Sequence, residues 1–159
     1  MLGQLPVLFA AHPETVAVIA FGAGMTAHSV LTHAEVRDVD ILEFEPAVIH
    51  ASEYFDLING APLKDPRSHL ILEDGRIHLT YTDKKYDVIT TDPISPWIAG
   101  SANLYSKNYY DLARARLNPG GVVCQWMQLG DFSENSFKTI LNSMRRAFPQ
   151  VAIFIYGDD

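Results

Sequence analysis

Cysteine is nearly absent from the 159 residues. Cys124 stands alone, which excludes an intramolecular disulfide framework and any cysteine-rich zinc site. Long apolar runs are also missing, and no stretch approaches the roughly 20 residues a membrane-spanning helix needs. The apolar stretch ending at Ala11 has no basic residues before it, so it is not read as a signal peptide, and the cytoplasm is the expected location. Basic residues are scarce: 12 Lys and Arg stand against 19 Asp and Glu, a net charge of −7. That balance argues against a general nucleic-acid binder and suits a cationic ligand. The six histidines show no metal-ligand spacing, and no metal is expected. Repeats and low-complexity segments are absent as well. What is present, 48% hydrophobic and 19% charged residues, is a globular composition whose length predicts one domain over residues 1–159.

Short Val- and Ile-rich runs alternate with segments of helical period, the pattern of an α/β fold with a mostly parallel sheet of about six strands and helices on both faces. The expected strands are Val16–Phe21, Val39–Glu43, Leu70–Glu73, Asp87–Thr91, Val122–Met127 and Val151–Tyr156. Pro46 suits a first helical position, Ser106 suits a helix cap, and Phe137, Ile140, Leu141, Met144 and Phe148 mark an amphipathic helix. Asp56–Ser68 and Pro93–Asn103 read as loops, a short ambiguous segment follows Asp74-Gly75-Arg76, and Asn118-Pro-Gly-Gly121 ends a helix.

Ligands of open α/β sheets bind beyond the carboxyl ends of the strands. Successive expected strands here lead into Gly22-Ala-Gly24, Glu43, Asp74 and Asp92. Gly22 and Gly24 let the backbone turn tightly and meet a ligand with no Cβ in the way. The string Gly22-Ala-Gly-Met-Thr-Ala27 also satisfies a relaxed dinucleotide pattern, with Glu43 near the expected ~20-residue spacing. A carboxylate at Glu43 can accept from ribose hydroxyls in a dinucleotide or an adenosine site. Asp74 followed by Gly75 is a common turn pair, yet it is also placed to accept from an adenine amino group. Asp92 before Pro93 is a turn signal too, and a carboxylate there can orient a reacting amine and take its proton. Each has a purely structural alternative. Together they favour a bound adenosine beside a general base.

An ordered set of motifs runs along nearly the whole chain. It comprises Leu5-Pro6, His12-Pro13, the glycine loop, Leu42-Glu43-Phe44-Glu45-Pro46, Asp65-Pro66-Arg67, Asp74-Gly75-Arg76, Tyr86-Asp87-Val88-Ile89, Leu104-Tyr105-Ser106, Tyr109-Tyr110 and Leu117-Asn118-Pro119-Gly120-Gly121. This set resembles the spermidine synthase (polyamine aminopropyltransferase) family, which has the Rossmann-like class I S-adenosylmethionine methyltransferase fold. Ser95-Pro96-Trp97-Ile98-Ala99-Gly100 and Cys124-Gln125-Trp126 resemble the branch often fused to transporter-like membrane segments.

The resemblance implies decarboxylated S-adenosylmethionine as co-substrate and a small cationic amine such as putrescine as acceptor. No metal, nucleic acid or membrane is implied, and a homodimer is allowed. It sets the ribose carboxylate at Glu43, the adenine-side aspartate at Asp74 and the catalytic aspartate at Asp92. The chain departs from the family at Ala23 and Ser95, where aspartates usually stand, and by the resemblance it is expected to start after the family's N-terminal β-rich domain and to stop before its seventh strand. Three rivals follow: a methyltransferase using intact S-adenosylmethionine, a non-catalytic nucleoside-binding fragment, and an NAD-dependent enzyme. The last leaves Asp74 and Asp92 together unexplained.

Overall fold

The structure is a computed structural model that describes residues 1–93, 96–98, 100–128, 130 and 132–156. Ser95 and Ala99, quoted above, lie outside the described residues. Five parallel strands form one sheet: β1 (Thr15–Ile19), β2 (Asp38–Leu42), β3 (Ser68–Ile71), β4 (Tyr86–Thr91) and β5 (Leu117–Gln125), in the order β3-β2-β1-β4-β5. β1 is central, and Val16, Ala17 and Val18 at its heart are fully buried on both faces. Such burial explains why the strand reads as a continuous apolar run and not as an alternation.

Helices cover both faces. On one lie α5 (Gly75–Tyr81), α6 (Lys107–Ala115) and α7 (Glu134–Ala147), whose Leu79, Tyr109, Ala113, Ile140 and Met144 pack on Ala17, Ile19, Leu42 and Ile89. On the other lie α1 (Leu5–Phe9), α2 (Met25–Leu31) and α3 (Pro46–Ser52), with Val7, Ala27, Val30 and Leu31 against Val16, Val18, Val39 and Ile41. Strand alternation explains the division, since neighbouring residues of one strand point to opposite faces. The short α4 (Asp56–Asn59) lies in the stretch expected to be loop.

The sixth expected strand is not formed. Val151–Tyr156 has no strand pairing, and Ile153, Phe154, Ile155 and Tyr156 are exposed. The alternating apolar pattern is present, but a strand also needs a neighbouring edge, and among the described residues β5 is paired only with β4. β5 also begins earlier than expected. Asp87 stands between the pairs Tyr86↔Leu117 and Val88↔Val122, so Asn118–Gly121 is absorbed as a bulge. Asp87 holds it by accepting from Asn118 Nδ2 at 2.8 Å and from the backbone N–H of Thr15 at 2.9 Å.

Ala20, at the end of β1, has φ +69°, a conformation that disfavours any side chain with a Cβ. Its N–H donates to Leu42 O at 3.0 Å, so the turn into the glycine loop is fixed despite the strain. Ala20→Gly should therefore raise stability by about 0.5–1 kcal/mol, the relief of strain exceeding the added freedom of the unfolded chain. Chemical denaturation midpoints check this; an unchanged or lower midpoint would mean the turn is unstrained.

Candidate functional site

Three backbone hydrogen bonds extend the sheet ladder one step past the strands. Asp92 N–H donates to Ile19 O at 3.0 Å, Ala20 N–H to Leu42 O at 3.0 Å, and Glu43 N–H to Ile71 O at 3.1 Å. The ladder therefore carries Asp92, the glycine loop and Glu43 side by side across the carboxyl edge, with the β3–α5 turn holding Asp74 next in line. The strand order reverses between β1 and β4, which sets the glycine loop and Asp92 at the sheet's switch point.

The glycine loop is shaped by close packing. Gly24 has φ +78°, and a Cβ there would meet Phe21 Cζ at 2.7 Å and Asn59 Nδ2 at 2.9 Å. Gly22 has φ +54° and open space where a Cβ would stand. Asn59, fully buried, latches the loop from outside: Nδ2 donates to Ala23 O at 2.7 Å, and Oδ1 accepts from Ala61 N–H at 2.8 Å. In the sequence Asn59 lies within the expected Asp56–Ser68 loop, before a glycine, and nothing local marks this role.

Glu43 is buried, and both its oxygens are engaged. Oε2 accepts from Phe21 N–H and Oε1 from Glu45 N–H, each at 3.0 Å. A carboxylate has about four acceptor positions, so two remain for diol hydroxyls. Phe21 N–H thus ties the ribose candidate to the glycine loop. Asp74 is the N-cap of α5: Oδ1 accepts from Arg76 N–H at 2.8 Å and Ile77 N–H at 3.0 Å. This cap makes the ambiguous segment a helix and leaves Oδ2 outside the cap. Gly75 is demanded by packing, since a Cβ would lie 2.5 Å from Ile19 Cγ2. Its buried position presses the Asp74 turn against the end of β1.

Asp92 opens toward solvent on one side and is backed by protein on the other. Desolvation raises its carboxyl above the usual aspartate range, opposed by a hydrogen bond from Thr26 Oγ1 to Oδ2 at 3.4 Å. Tyr105 is buried nearby, its hydroxyl donating to Pro93 O at 3.5 Å. Burial first, and then the Asp92 charge, push that phenol up to about 12. Thr26 and Tyr105 are the residues that sequence reasoning missed as neighbours of Asp92. Thr26 sits inside the relaxed glycine pattern, whereas Tyr105 had only its place before a helix cap.

A cleft of about 370 Å³ opens on the loop after β4, lined by Pro96, Trp97, Tyr105, Phe132, Ser136 and Ile140 among others. Trp97 and Phe132 stand 5.8 Å apart, and Phe132 meets Tyr105 at 5.9 Å. A larger hollow of about 520 Å³ between the end of α7 and Ile153 touches none of the strand-end residues. Among the described residues no group of three His, Cys, Asp or Glu side chains could hold a metal ion. Nor is any helix among them long and apolar enough to cross a membrane.

The spermine/spermidine synthase domain model matches residues 1–157. Polyamine aminopropyltransferase 2 of Pseudomonas aeruginosa is 32% identical over 155 residues, covering 95% of this chain and 44% of that protein. Putrescine N-methyltransferase 2 of Nicotiana attenuata is 28% identical over 149 residues, covering 93% and 40%. A crystal structure of spermidine synthase in complex with the transition-state analogue AdoDATO superposes with a TM-score of 0.87 at 23% identity, over 94% of this chain and 51% of that one. The chain spans about half the length of the curated relatives it matches. The expected methyltransferase-like α/β fold is thus the observed one, with five strands in place of about six.

Proposed function

The chain belongs to the spermine/spermidine synthase domain family, and from that premise we propose that it is an aminopropyltransferase acting on decarboxylated S-adenosylmethionine and a small amine such as putrescine. The observation that carries this reading is the hydrogen-bonded alignment of the glycine loop, Glu43 and Asp92 on one sheet edge, with Asp74 on the adjoining turn. Gly22 and Gly24 give the nucleoside its close approach. Glu43 accepts from the ribose hydroxyls, and Asp74 with Gly75 meets the adenine edge. Asp92 faces the reacting amine.

The reaction is a direct displacement. The amine nitrogen attacks the aminopropyl carbon bonded to the sulfonium, the carbon–sulfur bond breaks onto sulfur, and methylthioadenosine leaves. An amine of this kind is protonated near pH 7, so Asp92 takes that proton and a neutral nitrogen attacks, and the positive charge lost by the sulfonium stays on the product's new secondary ammonium. Holding the nitrogen in line is the other part of the work of Asp92. Both substrates are cations, and Glu43, Asp74 and Asp92 make the edge attractive to them. The aromatic cleft beside Tyr105 suits the methylene chain of the acceptor. The reading takes residues 1–159 as one domain, and a cytoplasmic location, where such small molecules are met, goes with it.

A second reading, methyl transfer to an amine from intact S-adenosylmethionine, is favoured by one residue. Ala23 stands where a carboxylate would meet the ligand's carboxylate in repulsion, and a relative is named putrescine N-methyltransferase. Mass spectrometry of the protein incubated with putrescine and either nucleoside separates the two. Spermidine and methylthioadenosine from the decarboxylated form are the expected products. N-methylputrescine from intact S-adenosylmethionine would replace the first reading by the second. No product from either nucleoside would overturn both.

A further inference from the structure

A chain of polar side chains, buried at Asp40 and Tyr86 and accessible at its two ends, runs beneath α5 from the candidate adenine turn to the far end of the sheet. Lys84 Nζ lies 2.8 Å from Asp40 Oδ2 and 2.9 Å from Asp38 Oδ2. Tyr86 Oη donates to the same Asp40 oxygen at 2.7 Å, and His78 Nε2 lies 2.8 Å from Tyr86 Oη. His78 Nδ1, on the opposite side of the ring, lies 3.3 Å from Glu73 Oε2. Glu73 immediately precedes Asp74.

The direction of each bond is forced. Asp40, paired with Lys84, is a carboxylate and can only accept. Burial and then Asp40 raise the Tyr86 phenol well above its usual range, so it keeps its single proton, and the 2.7 Å contact commits that proton to Asp40. Tyr86 can therefore only accept from His78, and His78 Nε2 must carry a hydrogen. A neutral imidazole has one N–H, so its Nδ1 would then be a bare lone pair facing a carboxylate. Only the imidazolium can donate to Tyr86 and Glu73 at once.

We propose that His78 is a positioning residue whose Nδ1 proton fastens the β3–α5 turn: protonated, it ties down Glu73 and with it Asp74; neutral, it keeps its bond to Tyr86 and releases Glu73. The turn is then clamped twice from α5, by the Asp74 cap in the first turn of the helix and by His78 one turn on. The other charged groups around this chain do not offer the missing proton. Lys84 lies over the Tyr86 ring at 5.5 Å, and burial lowers its proton affinity less than Asp40 and Asp38 raise it. Arg116 spends its guanidinium on the carbonyls of Leu79 and Thr80. His69 faces Asp38 at 3.4 Å, on the far side of Lys84.

The bond to Glu73 is half exposed, its carboxylate side chain 41% accessible, so its effect is modest. Methylthioadenosine affinity should fall at most about fivefold once His78 has lost its proton, the magnitude of an exposed ion pair. That part rests on the nucleoside reading above. His78→Gln keeps a donor for Tyr86 and cannot charge, and Glu73→Gln changes an accessible side chain that folding does not need. Both should lose this pH-dependent part of the affinity measured by calorimetric titration; a slope equal to the parent's in both variants would overturn the coupling. A second arm needs no ligand. Long-range proton–nitrogen spectra of ¹⁵N-labelled protein should place the neutral His78 hydrogen on Nε2, and the Glu73 and Asp74 amides should titrate in the parent and not in His78→Gln. A neutral His78 protonated on Nδ1, or amides that titrate identically in His78→Gln, would overturn the proposal even if no nucleoside binds. Failure of methylthioadenosine to bind at all counts instead against the nucleoside reading.

Discussion

Asp92→Asn is expected to lower the transfer rate by about 10²–10⁴-fold while nucleoside affinity stays near the parent's. Asn has the same shape and can still accept from Thr26 Oγ1 through its amide oxygen, so the loop after β4 keeps its packing. What disappears is the proposed base. The same substitution should leave stability unchanged or slightly higher, because desolvation disfavours the charged carboxyl that it removes. The sign with pH follows. Asp92 binds its proton more tightly folded than unfolded, so its contribution is favourable in acid and is lost as pH rises through its raised folded value. The stability advantage of Asn over Asp should therefore be absent in acid and grow as pH rises through the carboxylate range. In the parent, the acid limb of the rate profile should lie above the ordinary aspartate range, since only the ionised form accepts the amine's proton. Steady-state rates across pH, with denaturation at the same pH values, test both statements. A variant that turns over at the parent's rate would remove Asp92 from the chemistry.

Much of this edge was legible because the strands are encoded locally. Val16–Ile19, Val39–Leu42 and Val88–Thr91 are short runs rich in Val, Ile and other strand-forming residues bounded by polar or glycine signals, and the residues just after them are those the extended ladder carries to the edge. The losses have physical causes. Gly75–Tyr81 is seven residues long and follows Asp74 as an Asp-Gly turn pair; the capping bonds from Arg76 and Ile77 decide for helix, and no period can show them. Val151–Tyr156 has strand composition without a strand's neighbour. Asn118–Gly121 reads as a stop, but a bulge anchored by Asp87 admits it to β5, and that anchor is 31 residues away from Asn118 in sequence. Thr26, Asn59 and Tyr86 share that property. They act through partners 66, 36 and 46 residues away, and such pairings exist only once the sheet has formed.

The most damaging change to nucleoside binding should be Glu43→Gln, which is nearly isosteric. Both carboxylate oxygens accept backbone hydrogens, one from Phe21 and one from Glu45, at 3.0 Å each. A glutamine amide has one oxygen and one NH₂ group. Whichever way it flips, an N–H of the side chain faces an N–H of the backbone. One donor is left unpaired in a buried site, at a cost of about 1–3 kcal/mol in stability. If the orphan is Phe21 N–H, the glycine loop loses its tie to β2; if it is Glu45 N–H, the entry to α3 loosens. In either case a ribose hydroxyl that should donate meets a group with half the acceptor capacity and no charge. Nucleoside affinity should fall by about 10–100-fold, the worth of hydrogen bonds to a charged group. Glu43→Asp is the informative companion. It restores two oxygens on a shorter arm, so it should recover more stability than affinity if the second role, ribose recognition, is real. Calorimetric titration with methylthioadenosine alongside urea denaturation reads both quantities. Full affinity in a folded Glu43→Gln protein would mean that Glu43 serves only to hold the loop, and that the ribose is met elsewhere on this edge.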